Sequence, residues 1–206
     1  MFITFEGPDG SGKSTQIKLL TKRLTGLGHN VLLTREPGGT DISEQIRHIL
    51  HDLNNKAMQP RAEILLYSAA RAQLVEEKMK PHLAAGGIVL SDRYADSTLA
   101  YQGYGHGLDL DTLRLITAFA TDRLKPDLTL LFDVDAETGL RRRQAGGGEW
   151  NRMDDCALAF HQLVRAGYLK LACAEPERWV KLDAAQDVPA LEAEVWQIVK
   201  ARLRVP

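Results

Sequence analysis

The sequence predicts an α/β protein with a five-stranded parallel sheet, helices on both faces and a short lid. Short apolar runs alternate with longer segments of helical periodicity along the chain of 206 residues. The runs are rich in Val, Ile, Leu and Phe, which is typical of strands buried on both faces. A glycine-rich turn follows the first run, where parallel sheets of this kind bind their ligands.

Five apolar runs of four or five residues are the predicted strands. They are, in chain order, Phe2–Phe5, Val31–Thr34, Ile88–Ser91, Leu128–Phe132 and Trp179–Leu182. Strand alternating with helix implies parallel pairing with right-handed crossovers. Because ligands bind at the carboxyl ends of such strands, we expect functional residues directly after each run.

The segments between the runs repeat apolar residues with the 3.6-residue period of an amphipathic helix. The pattern occurs at Ile42, Ile46, Ile49, Leu50 and Leu53; at Leu65, Ala69 and Ala72; at Ala157, Phe160, Val164, Tyr168 and Leu171; and at Leu191, Val195, Ile198 and Val199. No internal repeat or long linker interrupts the alternation, so we predict a single domain over residues 1–206.

Composition excludes several classes of function. A formal net charge of −1 is not suited to holding a nucleic acid polymer. No apolar stretch approaches the roughly 18 residues that a membrane span needs, and the N-terminus lacks the pattern of a signal peptide. Cys156 and Cys173 form no CxxC pair. We therefore expect reduced thiols and a cytoplasmic protein without a membrane partner.

The turn after the first strand reads G-x-x-x-x-G-K-S. Its glycines let the backbone wrap around phosphates, and the helix that follows adds its N-terminal dipole. In such a loop the lysine, Lys13, reaches the β- and γ-phosphates of ATP, and the serine, Ser14, ligates Mg²⁺. The predicted phosphate site comprises Gly7, Pro8, Asp9, Gly10, Ser11, Gly12, Lys13, Ser14 and Thr15. The fold class is therefore a P-loop NTPase-type three-layer fold.

A P-loop does not name the reaction, because GTPases, ATP-driven machines and small-molecule kinases share it. The chain lacks the guanine-reading N-K-x-D sequence, which argues against a GTPase. The identity of the acceptor must therefore come from other segments.

Polar residues follow the second and third strands. Thr34–Thr40 (TREPGGT) forms a sharp turn that presents Arg35 and Glu36; the alternative is a plain loop with solvated charges. Asp92 could hold Mg²⁺ directly or through water, and Arg93 could bind a phosphate in bidentate fashion. The alternative for these two residues is a strand-end ion pair.

Tyr67 and Arg71 are four residues apart and share one helix face. An aromatic ring and a guanidinium together can stack on a nucleobase and bond to it. A core tyrosine beside a surface arginine is the alternative for that pair.

These stretches together resemble the bacterial thymidylate kinase family. The matching segments are Phe5–Thr15, Thr34–Thr40, Tyr67–Arg71, Asp92–Gly103, Pro126–Val134 and Pro176–Ala184. The resemblance covers nearly the whole chain in order, and D-R-Y followed by S-T-L-A-Y-Q-G is its most specific part. It implies transfer of a phosphoryl group from ATP to thymidine monophosphate (dTMP) by a homodimer.

The resemblance also implies roles on the acceptor side. Asp9 is expected at the sugar 3′-hydroxyl and near the metal, while Arg47 and Arg93 bind the acceptor phosphate. Tyr101 packs beside C2′ and disfavours a ribose, and Glu36 lies near the acceptor. The thymine base is expected to contact four further residues: Tyr67 stacks on it, and Arg71, Thr98 and Gln102 bond to its edge. No role beyond lining its loop is assigned to Arg35.

The lid is predicted at about residues 142–152, where arginines flank a glycine-rich stretch. The resemblance implies that Arg142 packs on adenine and that Arg152 reaches the transferred phosphate. The usual Asp-Arg pair is Asn151-Arg152 here, so help from that carboxylate is absent. Adenine is expected against the loop that contains Asp183 and Ala184. The predicted catalytic residues are Lys13, Asp9, Arg93 and Arg152.

Three other interpretations remain open at this point. The chain could phosphorylate another monophosphate or a small alcohol, or it could be an ATP-binding regulatory module without turnover. The acceptor residues Arg47, Tyr67, Arg71, Arg93 and Gln102 argue against the regulatory module, because a nucleotide switch needs none of them. His48 and His51 could ligate a metal, but no third ligand is nearby, so a solvated helix face is favoured.

Overall fold

The five predicted strands form a parallel sheet in the order β2-β3-β1-β4-β5. The structure, a computed structural model, describes residues 1–146 and 150–203. The strands are β1 (Phe2–Glu6), β2 (Val31–Arg35), β3 (Ile88–Asp92), β4 (Leu128–Asp133) and β5 (Trp179–Asp183). The predicted α/β fold class is confirmed.

Each strand is one residue longer than the apolar run that predicted it. The additional residues are Glu6, Arg35, Asp92, Asp133 and Asp183. Backbone pairing continues past the last apolar side chain, since ladder hydrogen bonds do not depend on side-chain polarity. The polar residues therefore stand at the carboxyl edge of the sheet, where the cleft lies.

Nine α-helices surround the sheet within the described ranges. They are α1 (Lys13–Gly26), α2 (Asp41–His51), α3 (Pro60–Leu74), α4 (Lys80–Ala84), α5 (Ala95–Thr98), α6 (Leu110–Ala120), α7 (Ala136–Ala145), α8 (Leu158–Ala174) and α9 (Val188–Leu203). A π-helical segment, Val75–Met79, joins α3 to α4, and a second, Leu99–Gly105, continues α5. Thr40 and Asp135 accept backbone N–H groups at the starts of α2 and α7, which stabilises those helix ends.

The core has a layer on each face of the sheet. On one face, Phe5 and Phe132 pack with residues of α1 and α9 such as Leu24 and Val195. On the other face, Leu131 packs with the Leu99–Gly105 segment and with α8. Neighbouring residues of β4 thus point to opposite layers, as the two-residue period of a strand requires.

Two predicted apolar helix faces differ from the observed ones. On α2, Leu50 is buried but Ile42 and Ile49 are about half exposed. On α3, Leu65 is exposed, and the inward face instead carries polar residues, including Arg71. The α3 pattern therefore marked the outer face. The inner face combines the buried apolar residues Ile64, Ala70 and Leu74 with polar residues, so it does not show the simple apolar period.

No helix in residues 1–146 and 150–203 has the length and apolar content needed to cross a bilayer.

Candidate active site

The predicted phosphate loop connects β1 to α1. Gly7 and Gly10 have positive φ angles of 136° and 72°, which favour glycine. A Cβ at Gly7 would lie 2.4 Å from the carbonyl oxygen of Phe132, and one at Gly10 would lie 1.9 Å from that of Gly139. Helix α1 follows Gly12, which has no side chain to cap it. Its first N–H groups are therefore free to face a phosphate.

Lys13 is buried inside this loop. Its Nζ donates to the carbonyl oxygens of Gly7 and Pro8 at 3.0 and 2.7 Å, and to Ser11 Oγ at 3.2 Å. Burial lowers the pKa of Lys13 to about 8, and the charge of Arg93 acts in the same direction. A bound phosphate supplies the opposite charge and favours the ammonium form.

Ser14 and Asp92 come together because β1 and β3 are neighbours in the sheet. Ser14 Oγ donates to Asp92 Oδ2 at 2.6 Å, and both residues line the cleft. Two hard oxygen ligands beside a phosphate loop fit Mg²⁺, which keeps several waters and binds through one or two protein groups plus substrate phosphates. Among the described residues, no group of three or more His, Cys, Asp or Glu side chains is placed to hold a metal.

Arg93, at the end of β3, connects the P-loop to the opposite wall. Its Nη2 donates to Asp9 Oδ1 at 2.7 Å and to the Tyr101 hydroxyl at 2.9 Å. Tyr101 in turn donates to Asp9 Oδ2 at 2.6 Å. Burial raises the pKa of Asp9, but the charges of Arg93 and Lys13 outweigh it and hold that pKa well below its usual range. The three side chains form a closed, charged triangle.

A second charged cluster surrounds Arg71. Its Nε donates to Glu36 Oε2 at 2.7 Å, and its Nη1 donates to Thr98 Oγ1 at 3.0 Å. Burial disfavours the charged arginine, yet the Glu36 carboxylate outweighs this and raises the pKa of Arg71. The alternative of a surface arginine is thus wrong for Arg71, because α3 turns this side chain inward.

Arg47, Tyr67 and His51 form the wall of the cleft at α2 and α3. Arg47 Nη1 donates to the carbonyl oxygen of Pro37 at 2.7 Å. Burial and the charge of Arg47 lower the pKa of His51 to about 4. The two histidines differ in their surroundings: His51 is partly buried and lines the cleft, whereas His48 is exposed. The interpretation as a solvated helix face describes His48, whereas His51 is only partly exposed in the cleft wall.

A cleft of about 430 Å³ unites these groups. Its lining includes the P-loop residues Asp9, Lys13 and Ser14 and all eight predicted acceptor residues: Glu36, Arg47, Tyr67, Arg71, Arg93, Thr98, Tyr101 and Gln102. Donor-type and acceptor-type groups therefore face one shared space.

Comparison with known proteins shows the family to which this chain belongs. The family model described as thymidylate kinase matches residues 5–195. The chain belongs to the thymidylate kinase family. It is 53% identical to the thymidylate kinase of Roseiflexus sp. (strain RS-1), over 98% of this chain and 95% of that protein. It is 50% identical to that of Deinococcus radiodurans, over 98% and 97% of the two chains.

A solved structure agrees with the assignment. The crystal structure of thymidylate kinase from Ehrlichia chaffeensis superposes with a TM-score of 0.79, at 34% identity, over 97% of this chain and 98% of that one. The resemblance seen in the sequence motifs is confirmed at the level of both sequence and fold.

The three arginines of the predicted lid, Arg142, Arg143 and Arg152, each contact a different part of this thymidylate kinase family member. Arg142 Nη1 donates to the carbonyl oxygen of Ala184 at 2.7 Å, beside the predicted adenine loop. Arg143 forms an ion pair with the buried Asp154 at 3.0 Å. Both arginines line the cleft. They belong to the last turn of α7, and residues 147–149 of the predicted lid lie outside the described residues.

Arg152 does not reach the P-loop in this arrangement. Its guanidinium pairs with Glu63 and donates to the carbonyl oxygen of Leu50 at 3.1 Å. Glu63 also accepts a hydrogen bond from Gln102 at 2.6 Å. The predicted catalytic arginine and one predicted base-binding residue thus share a buried carboxylate, and Arg152 must leave Glu63 to contact a phosphate. Its role in transfer stays a prediction.

On the adenine side, Asp183 ends β5 and its Oδ1 accepts the N–H of Ala185 at 2.9 Å. Ala184 is buried, and its N–H donates to the carbonyl oxygen of Asp133 at 2.9 Å. These bonds give the loop after β5 a defined shape next to Arg142. Arg35 also lines the cleft, where its Nη2 pairs with Glu44 at 3.0 Å.

Sequence reasoning did not identify Glu6, Glu63 and Tyr168 as parts of the site. Glu6 and Glu63 are fully or almost fully buried carboxylates, and Tyr168 was noted only as a helix-core residue. The one available signal for Glu6 was a charged residue at the end of an apolar strand directly before the P-loop. Glu63 gave none, because acidic residues are ordinary in the first turn of a helix.

Proposed function

We propose that this protein transfers the γ-phosphoryl group of ATP to thymidine 5′-monophosphate, giving ADP and thymidine 5′-diphosphate for dTTP synthesis. The observation that carries the proposal is the shared cleft, in which the P-loop lysine faces the acceptor-side arginines and aromatic residues. Membership of the thymidylate kinase family selects this acceptor over other monophosphates. We assign the activity to one kinase domain formed by residues 1–206.

ATP occupies the side of the cleft formed by the P-loop and α7. Its phosphates bind the loop N–H groups and Lys13, while its adenine lies between Arg142 and the loop at Asp183 and Ala184. The hydrogen bond from Arg142 to Ala184 supports this placement, because it already joins the two elements that would hold the base.

The acceptor occupies the opposite side. Arg47 and Arg93 bind its phosphate, and Asp9 and Tyr101 contact the sugar. Tyr67 stacks on the base, whose edge faces Arg71, Thr98 and Gln102; Glu36 acts through its ion pair with Arg71. The supporting observation is that these side chains line the same cleft although they come from five separate segments.

Transfer needs orientation and charge rather than a covalent intermediate. An oxygen of the acceptor phosphate attacks the γ-phosphorus, the bond from that phosphorus to the bridging oxygen breaks, and ADP leaves with the electron pair. Lys13 and the acceptor arginines stabilise the negative charge on the equatorial oxygens. We propose that Arg152 adds its charge once substrates have displaced it from Glu63.

Ser14 and Asp92 would hold Mg²⁺, directly or through water. When bound, the ion supplies positive charge to the β- and γ-phosphate oxygens. Ser14 and Asp92 orient each other through their hydrogen bond, which keeps both oxygens directed at the cleft.

We propose a homodimer built on α2, α3 and α6. These helices pack side by side and expose large apolar side chains, with Phe119 90%, Leu115 74% and Leu65 60% exposed. Monomeric proteins rarely leave such side chains clustered on one face. Sedimentation velocity should give twice the monomer mass, and Phe119→Ser should shift the equilibrium toward monomer.

We place the reaction in the cytoplasm, because ATP is available there and Cys156 and Cys173 are free thiols.

A coupled assay of ADP release across nucleoside monophosphates tests the proposal. We expect dTMP to have the highest kcat/KM, with Mg²⁺ required. A higher kcat/KM for another monophosphate would overturn the choice of acceptor. ATP binding without turnover on any acceptor would identify a non-catalytic nucleotide-binding module.

A further inference from the structure

Glu6 is a buried carboxylate at the end of β1, and nothing so far described uses it. Its Oε1 accepts the backbone N–H of Tyr94 at 2.8 Å. Its Oε2 accepts the hydroxyls of Ser97 at 2.6 Å and Tyr168 at 2.9 Å. The side chain has no exposed surface. Three donors from two distant parts of the chain thus converge on one carboxylate beside the P-loop.

The residue that these donors surround is Arg93. Its Nη1 donates to Ser97 Oγ at 3.2 Å and to the Tyr168 hydroxyl at 2.9 Å. The two hydroxyls donate to Glu6 and accept from Arg93, so they transmit the position of the carboxylate to the guanidinium. Nη2 of the same guanidinium is the group that binds Asp9 and Tyr101.

Arg93 also has an unusual backbone conformation, with φ at 73°. A non-glycine residue in the left-handed region is strained and persists only where its surroundings hold it. Glu6 bonds to the next peptide N–H, that of Tyr94, and the carbonyl oxygen of Arg93 accepts the Ser91 hydroxyl at 2.7 Å. Both of these bonds hold the peptide that follows Arg93. On the other side, the N–H of Arg93 donates to the carbonyl oxygen of Phe5 at 3.0 Å, so the turn is held on both sides of the strained residue.

We propose that Glu6 is the positioning residue of the acceptor site: it holds the strained turn at Arg93 and orients the Arg93 guanidinium toward the acceptor phosphate. The proposal rests on the proposed binding of that phosphate by Arg93. Glu6 itself touches neither substrate, because Ser97, Tyr168 and the Tyr94 backbone separate it from the cleft.

The charges around Glu6 are consistent with this role. Burial and the nearby carboxylate of Asp96 raise the pKa of Glu6 to about 7, whereas Arg93 and the two hydroxyls lower it. Arg178 binds Asp96 through two bonds of 2.6 and 3.0 Å, which limits the repulsion between the carboxylates. Glu6 thus depends on its donors for its charge, and an amide of the same shape should disturb the network.

Glu6→Gln is the primary test, with affinities measured by calorimetry. An amide nitrogen facing Ser97 and Tyr168 is a donor, so the hydroxyls lose their acceptor and Arg93 loses its orientation. We expect dTMP affinity to fall about 10-fold or more, because bonds to charged groups are strong. Affinity for a non-hydrolysable ATP analogue should change less than about 2-fold, since the described hydrogen bonds to the Glu6 carboxylate come from Tyr94, Ser97 and Tyr168 and not from the ATP side.

Asp127→Asn is the matched control. Asp127 accepts the N–H of Phe2 at 2.7 Å, at the opposite end of the same strand. The change from carboxylate to amide is the same, but it lies away from the cleft. We expect it to leave the affinities for dTMP and the ATP analogue unchanged.

A double-mutant cycle separates positioning from general damage. In an Arg93→Lys background, Glu6→Gln should weaken dTMP binding by less than about 2-fold, because it acts through the arginine already replaced. Equal losses for dTMP and the ATP analogue, or additive effects with Arg93→Lys, would overturn the proposal.

Tyr168→Phe is a second variant that tests the same proposal if Glu6→Gln does not fold. It removes only the hydroxyl between Glu6 and Arg93, and we expect a loss of about 3-fold or more for dTMP alone. No selective loss in that variant would likewise contradict the proposal. Failure of the proposed function is distinguishable, because the wild-type protein would then not bind dTMP.

Discussion

The two sides of the cleft are built differently. The donor side is mainly the backbone of one short segment, residues 7–15, with Lys13 folded back onto its own loop. The acceptor side is made of side chains far apart in the chain: Arg71 and Glu36 are 35 residues apart, and Arg93 and Asp9 are 84 residues apart. The donor side is thus formed by one continuous segment, whereas the acceptor side forms only when the folded sheet brings distant segments together.

This difference indicates how each side fails when it is altered. A backbone cradle tolerates most side-chain changes but not a Cβ at Gly7 or Gly10, where a carbonyl oxygen is too close. A side-chain network tolerates volume changes at its edges but not the loss of one charged partner, which leaves the other buried and unpaired. Donor-side variants should therefore change catalysis, and acceptor-side variants should change both binding and stability.

Lys13→Ala is expected to have the largest effect, a loss of at least about 10³-fold in kcat with the fold retained. The reason is that the Lys13 ammonium contacts the phosphoryl group that moves. Steady-state kinetics with dTMP and ATP measure the loss. Lys18→Ala, an exposed lysine of the same helix, should keep wild-type activity. A normal kcat in Lys13→Ala would contradict the assignment of the P-loop as the ATP-phosphate site.

Arg152→Ala should lower kcat by at least about 10²-fold with little change in the KM for dTMP, the pattern of a contact made mainly in the transition state. Since Arg152 pairs with Glu63 in the structure, the effect also measures whether this arginine moves during turnover. Arg141→Ala and Arg143→Ala are the comparisons. If Arg152→Ala kept a near-normal kcat while Arg143→Ala lost most of its kcat, the catalytic positive charge would be assigned to Arg143 at the end of α7 instead.

Arg71→Ala should raise the KM for dTMP far more than that for ATP, and it should also lower the free energy of unfolding by about 3–5 kcal/mol. The second effect follows from the Arg71–Glu36 pair, in which both side chains are buried. Urea denaturation measures the stability loss.

Arg71→Ala changes substrate binding and stability together, and Thr98→Val serves to separate these two effects. It removes the hydroxyl that accepts from Arg71 while leaving the ion pair intact. We expect a weaker effect on dTMP KM with little loss of stability. Equal rises in KM for both substrates would mean that the change had damaged the fold generally, around α3 for Arg71→Ala and around α5 for Thr98→Val.

Tyr101→Ala should relax the preference for deoxyribo- over ribo-monophosphates, because it opens space beside C2′. The hydroxyl of Tyr101 also bonds Asp9 and Arg93, so Tyr101→Phe is the matched variant: the ring remains and only these bonds are lost. We expect the ratio of kcat/KM values to fall in the alanine variant and to persist in the phenylalanine variant. An unchanged ratio in both would reduce Tyr101 to a packing role.

Arg142→Ala is expected to have the smallest effect, a rise of about 5- to 10-fold in the KM for ATP, as for loss of one stacking or hydrogen-bonding contact. Its neighbour Arg141 bonds only to Thr138 among the described contacts, so Arg141→Ala is the control. A larger change for dTMP than for ATP would place Arg142 on the acceptor side.

The donor side was predictable because all its information is local. The glycine spacing, the lysine and the serine lie within eight consecutive residues, and the flanking strand and helix follow from their own periodicity. The five strands were predicted for the same reason. Only their last residues were missed, since the apolar pattern stops where the carboxyl edge becomes polar.

The acceptor side was predictable only in part. Motif resemblance proposed which residues belong to it, and the structure places them along the cleft, but their partners could not be read from the chain. Nothing local to Arg71 reveals that Glu36 will neutralise it, and the α3 pattern marked the outward face that carries Leu65. These pairings depend on which strands become neighbours in the sheet.

The sequence by itself thus determined the P-loop, the alternation of strands and helices, and the family to which the chain belongs. Tertiary structure alone decided that Arg152 pairs with Glu63, that His51 faces the cleft and that Glu6 holds the turn at Arg93. The physical reason is that a short-range motif specifies its own backbone geometry. A buried charge is instead satisfied by whichever donor the fold brings within hydrogen-bonding distance.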